Sequence, residues 1–190
     1  MSDAAMPLTD REKAFLKELA RLSVDAAARG RPGPDPRSMS AVAGTPLDGA
    51  LGEYRGAFVT LHLDGDLRGC IGHITSDHPL AVTVADCARS AAVRDPRFAP
   101  VSPDELAFLD LEISVLTPLR PVAGPAAIEL GRHGILLDHG GRQAVFLPQV
   151  PGEQGWDLET TLDQLARKAG LDSGAWRAEA RFHVFEAEVF

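Results

Sequence analysis

The tightest constraint on this chain is a hairpin signal at Asp64-Gly65. Before it, Ala57 to Leu63 (AFVTLHL) is rich in apolar and β-branched residues and reads as a strand. After it, the chain returns from Asp66 into Leu67-Arg68-Gly69-Cys70-Ile71-Gly72. Asp-Gly between two such runs fits a two-residue turn whose twist suits antiparallel strands. Gly69 and Gly72 weaken a regular strand interior, so the returning segment is expected to end the hairpin in a bend. Cys70 then stands between two glycines, two residues after Arg68. Glycines let another molecule approach the main chain closely, and Arg68 could lower the thiol pKa or hold an anion. A small inert thiol turned into the core fits the same residues.

The flanking chain supplies helices. Thr9-Asp10-Arg11-Glu12 fits a capping box. Leu16, Leu19, Ala20, Ser23, Ala26 and Ala27 then form one face of a helix that Gly30 ends. Residues 31–55 hold Pro32, Gly33, Pro34, Pro36, Gly44, Pro46, Gly49 and Gly52, and read as a long loop or flap. Ser76 or Asp77 can cap a second helix entered at Pro79, whose stripe Leu80, Val84, Cys87, Ala88 and Ala91 makes Cys87 a core residue. That helix should end near Asp95-Pro96. Arg94, Asp95 and Arg97 crowd the turn beyond it, as a helix-terminal charge cluster or as an Asp–Arg pair lining a pocket.

Ser102-Pro103-Asp104-Glu105 is a second capping box, opening a short helical turn. From Leu109 to Val115 apolar and polar residues alternate, which places Glu112 mid-strand on the polar face; there it is either a solvated carboxylate or, beside a cleft, a base. Pro118 to Pro125 reads as a connector. Ile135 to Leu147, turning at His139-Gly140-Gly141-Arg142, reads as a second hairpin with dense apolar runs that suggest burial on both faces. A loop, Gln149 to Trp156, leads to Asp157 as N-cap of a third helix carrying Leu158, Leu162, Leu165, Ala166 and Ala169. Phe182 to Phe190 gives a last strand with a phase slip at Val184-Phe185, read as a bulge. Hairpins joined by helices, without strict strand–helix alternation, argue for an α+β fold with a largely antiparallel sheet.

Charge and cysteine usage narrow the function classes. With 19 Lys+Arg against 27 Asp+Glu the formal net charge is −8, which disfavours a nucleic-acid or anionic-membrane surface. Two cysteines make no disulfide framework, and a reducing cytosol suits them. Met1 to Leu8 lacks a basic segment followed by an apolar one, and no apolar run reaches a membrane span, so a cytoplasmic protein is expected. His73, three residues after Cys70, or His78 a little further on could serve as its base if the turn folds back. Cys70, His73 and Glu112 are acceptable metal-ligand types, but no HExxH or paired CxxC accompanies them and no metal is expected. No phosphate-binding or dinucleotide fingerprint occurs, so no cofactor is expected either.

Taken together, Gly56 to Leu61, Leu67 to Gly72, Asp95-Pro96-Arg97-Phe98, Glu112 to Thr117, and Leu147 to Val150 through Gly155-Trp156-Asp157 resemble the AMMECR domain family. Its bacterial and archaeal members are called AmmeMemoRadiSam system protein A. The resemblance runs over nearly the whole chain and implies a single AMMECR-type domain over 1–190. That domain would have two unequal lobes, the smaller within about 57–125, and a groove between them beside Leu67–Gly72. It implies Memo-like and radical-SAM proteins as partners in a pathway or complex, without fixing a reaction. Carried onto this chain, the implied site is Arg68, Gly69, Cys70 and Gly72, faced by Asp95, Arg97 and Glu112. His73 is not characteristic of the family at its position, and the long Pro/Gly loop before Gly56 looks particular to this chain. The expected function is an enzyme or enzyme subunit using Cys70 as a reactive thiol on a small substrate; the alternative is a binding or scaffold module.

Overall fold

The computed structural model describes residues 5–190. The expectation about Met1 to Leu8 therefore lies partly outside the described residues. Helix α1 (Asp10–Ala28) starts as its capping box dictates: the Glu12 amide donates to Thr9 Oγ1 at 3.3 Å, and the Thr9 amide donates to the Glu12 carboxylate at 2.8 Å. Gly30, at φ +65°, stops it. The segment expected as a loop is partly helical, a correction with a local cause. Asp35 accepts from the amides of Arg37 and Ser38, Pro36 sits where its missing N–H costs nothing, and Gly44 closes α2 (Pro36–Ala43) in the left-handed conformation. A short 3-10 turn follows at Gly49–Gly52.

Strands β1 (Ala57–Leu63) and β2 (Asp66–His73) form the expected hairpin, with Asp64 at φ 52° and Gly65 at φ 89°. The bend expected at Gly69–Gly72 does not occur; β2 runs straight through both glycines. Helix α3 (Leu80–Val93) packs behind this hairpin. Neither Ser76 nor Asp77 is its N-cap. Pro79 takes that position, the Leu80 amide donates to the Glu53 carbonyl, and the Ser76 hydroxyl bonds Thr83 instead. Strand β3 (Leu109–Leu116) completes the centre of the sheet, antiparallel to β1. The core of this first unit is the underside of the sheet, Val59, Leu61 and Ile113, against Leu16 and Leu19 of α1 and Val84 and Cys87 of α3.

The connector Pro118 to Pro125 contains β4 (Arg120–Val122), followed by β5 (Gly134–His139) and β6 (Arg142–Phe146). Pro121 is tolerated because β4 lies at the edge of its sheet. The β5–β6 hairpin buries chiefly one face, not two, since Gln143 is exposed and Leu136 and Val145 only half-buried. The loop after Pro148 winds into the short α4 (Val150–Gln154) before α5 (Leu158–Lys168), which Asp157 caps through the Thr160 amide at 2.8 Å. Leu162 and Leu165 pack on Ile135, Leu137, Phe182 and Val184.

The C-terminal strand is in fact two, β7 (Arg181–Phe185) and β8 (Ala187–Val189), in different sheets. The apparent bulge is the point where the chain changes sheets. One sheet has the order β2-β1-β3-β8 and the other β4-β7-β5-β6, giving an α+β protein with antiparallel sheets. The chain divides into a larger unit, 1–118 with 188–190, and a smaller unit, 119–187. The smaller unit is therefore C-terminal rather than within 57–125, because β1, β2, α3 and β3 share one core with α1.

Candidate functional site

The pleat of the first sheet decides which side Cys70 takes. Thr60 of β1 is register partner to both Cys70 of β2 and Glu112 of β3, so the three side chains form one row across the sheet. Val59 and Leu61, on the opposite face, are fully buried in the core. Cys70 thus lies on the face turned away from α1 and α3 and is only half-buried. The Thr60 hydroxyl lies 3.4 Å from Cys70 Sγ and donates to it. Two strand spacings separate Cys70 from Glu112, about 10 Å between their backbones. The Glu112 carboxylate has no hydrogen-bond or ion-pair partner among the described residues.

His73 is excluded from the row. It is three residues from Cys70 on a continuous strand, so it points to the other face, and the Cys70–His73 pairing is corrected. The same pleat removes the Cys70–His73–Glu112 metal set. No group of three or more His, Cys, Asp or Glu suited to a metal occurs among the described residues.

Both motif glycines have a packing reason to be glycine. A Cβ on Gly69 would stand 2.3 Å from the Ala91 carbonyl oxygen of α3, and one on Gly72 would stand 2.2 Å from the Phe58 ring. β2 thus lies directly on α3 at one glycine and under an aromatic ring at the other. These contacts explain why glycines that weaken an isolated strand occupy its interior here.

Arg68 is the extra residue of a β-bulge: Leu61 pairs with Gly69 and His62 with Leu67, leaving Arg68 without a register partner. The bulge aims its guanidinium at the segment after α3. Nε donates to Glu105 Oε1 at 2.7 Å, Nη2 to Glu105 Oε2 at 3.2 Å, and Nη1 to the Ala99 carbonyl at 2.9 Å. Its hydrogen bonds hold this segment, and none reaches Cys70. Glu105 also takes the Ser102 amide at 2.7 Å, half of the expected capping box. The Arg68 and Ser102 bonds bring the Glu105 pKa down to about 2.

Asp95 and Arg97 complete the surroundings of the thiol. Asp95 is buried and accepts from the Cys70 amide at 2.9 Å. Arg97 donates to it in a fork, Nε to Oδ1 at 3.0 Å and Nη2 to Oδ2 at 2.7 Å. The Arg97 guanidinium holds the Asp95 carboxyl well below the usual carboxylate range, and Asp95 in turn raises Arg97. Asp95 thereby joins the Cys70 amide to the Arg97 guanidinium. Arg97 is half exposed and lies over Phe98, 5.4 Å from the ring centre. Cys87 differs in burial: it is fully buried, and burial pushes its own thiol up to about 12.

Sequence reading gave Thr60, Glu105 and Phe98 no place in the site. Thr60 was findable, since Phe58, Thr60 and His62 share the non-core phase of AFVTLHL. Glu105 was legible only as a cap, because its pairing with Arg68 depends on the bulge.

The AMMECR1 family model matches residues 17–190. The chain belongs to the AMMECR1 family. A Methanosarcina acetivorans protein is 40% identical over 188 residues, covering 96% of this chain and 92% of the relative. A Methanocaldococcus jannaschii protein is 43% identical over 147 residues, covering 73% of each. The crystal structure of an uncharacterized protein from Pyrococcus horikoshii superposes with a TM-score of 0.80 at 36% identity, covering 92% of this chain and 88% of that one. In this AMMECR1 chain, then, the Leu67–Gly72 motif is a bulged strand lying on α3, with its thiol on the face away from the core.

Proposed function

We propose that this protein is an enzyme or enzyme subunit in which Cys70 acts as a reactive thiol on a small substrate lying across Thr60. The observation that carries this reading is the Thr60 row, with a half-buried thiol at one end and an unpartnered carboxylate at the other. Glu112 is too distant to take the thiol proton directly, so it serves as a proton acceptor or donor at the far end of the substrate. The Thr60 hydroxyl stabilises developing charge on sulfur, and Arg97, joined to the Cys70 amide through Asp95, offers a cationic group near the thiol. The AmmeMemoRadiSam resemblance supports a cytoplasmic pathway shared with Memo-like and radical-SAM proteins. No helix among the described residues is long and apolar enough to cross a membrane.

A second reading has its own support. Arg68 and Asp95 tie the motif to its surroundings through Glu105, the Ala99 carbonyl and the Cys70 amide, as a rigid binding or scaffold surface would require. The readings part on the sulfur. A strain whose only copy carries Cys70→Ser should match the deletion strain; wild-type behaviour would overturn the thiol reading and leave the binding module. Affinity purification should recover the Memo-like and radical-SAM neighbours, and recovery of neither would remove the proposed association.

A further inference from the structure

The underside of the first sheet is not filled along its whole length. Where α1 passes over the start of β3, a pocket of about 410 Å³ opens between Leu22 of α1, Leu61 of β1, Leu111 of β3 and Leu106 of the preceding turn. None of the residues assigned to the Cys70 site lines it. Its walls are apolar but its mouth is cationic. Arg21 is exposed and has no hydrogen-bond or ion-pair partner among the described residues. Asp25, the acidic residue in the lining, is already bonded by Arg29 and Arg31. Of the charged residues in the lining, Arg29 and Asp25 thus satisfy each other and the Arg21 guanidinium is left over, in a chain whose net charge is −8.

We infer that this pocket binds an amphipathic monocarboxylate, its hydrocarbon part among the leucines and its carboxylate on Arg21. Ligand pockets commonly pair an apolar body with a few polar groups that fix orientation, and an unpaired guanidinium is the group that holds a carboxylate. At liquid-like density the space admits roughly 200–250 Å³ of ligand, on the order of a dozen heavy atoms. A neutral hydrocarbon would leave Arg21 unused, and a cationic amphipath would meet like charge.

Decanoate is a suitable probe, followed by amide NMR on the intact protein, with decyltrimethylammonium as the control of opposite charge. The expected result is saturable binding of decanoate with shifts at Leu22, Leu106 and Leu111, and at least roughly tenfold weaker binding of the cation. Arg21→Ala, at an exposed position that leaves the fold intact, should weaken decanoate roughly tenfold. Leu106→Trp, which fills the space, should abolish binding. Absence of saturable shifts at those residues overturns the inference. So does equal binding of the two probes, or an affinity unchanged in Arg21→Ala.

Discussion

Gly69 is the residue at which sequence and packing bear on each other most directly. Its missing Cβ would fall 2.3 Å from the Ala91 carbonyl, backbone that cannot rotate aside. Gly69→Ala should therefore cost about 2 kcal/mol or more, seen as a lower urea midpoint, because β2 must lift from α3. Gly33→Ala is the control, since its Cβ meets nothing and its φ is not positive; it should change the midpoint by less than about 0.5 kcal/mol. Equal midpoints for the two variants would refute the packing account. Arg68 was expected to activate the thiol, yet its bulge position turns it onto Glu105 and Ala99. Arg68→Lys, which keeps charge but loses the fork, should accordingly lower stability by about 1–2 kcal/mol.

At the scale of elements, the segment from Asp95 to Glu105 is fastened to β2 by two carboxylates whose pKa values are depressed. A depressed folded-state pKa gives stability that is present above the unfolded value and lost as pH falls through the folded one. For Glu105 that window runs from 4.5 down to about 2, and Asp95 adds to the loss from 3.8 downward. Stability should thus fall on acidification below pH 4.5, and Glu105→Gln should flatten that fall in urea titrations. An unchanged slope would mean the clamp does not form. Elements with local causes were legible in the sequence: the Thr9–Glu12 box, the Asp64-Gly65 turn and the Asp157 cap each need only neighbouring residues. Helix α2 was hidden because its N-cap Asp35, first-turn Pro36 and closing Gly44 carry the same residue types that mark a loop. The course of β2 was hidden for a different reason, since its glycines answer to Ala91 and Phe58, which are distant in sequence. Asp35→Ala should leave the Arg37 and Ser38 amides without the carboxylate they donate to and lower stability by about 1 kcal/mol.

For the whole molecule, the first sheet and the helix packed beneath it hold the two cysteines in opposite environments. The helix stripe made Cys87 legible as core, whereas the direction of Cys70 required the register with Thr60, which no local pattern specifies. The same register turned His73 away and brought Glu112 into line. The last residues likewise join a sheet that the phase slip alone could not reveal. The proposed function depends on the two thiols differing in the folded state. Iodoacetamide labelling at neutral pH, with the rate at each cysteine read by peptide mass spectrometry, measures that difference directly. In native protein Cys70 should react at least about 100-fold faster than Cys87, whose thiol is reached only through opening of the core, and in strong denaturant the two rates should converge. Equal rates for the two cysteines in the native state would contradict the account.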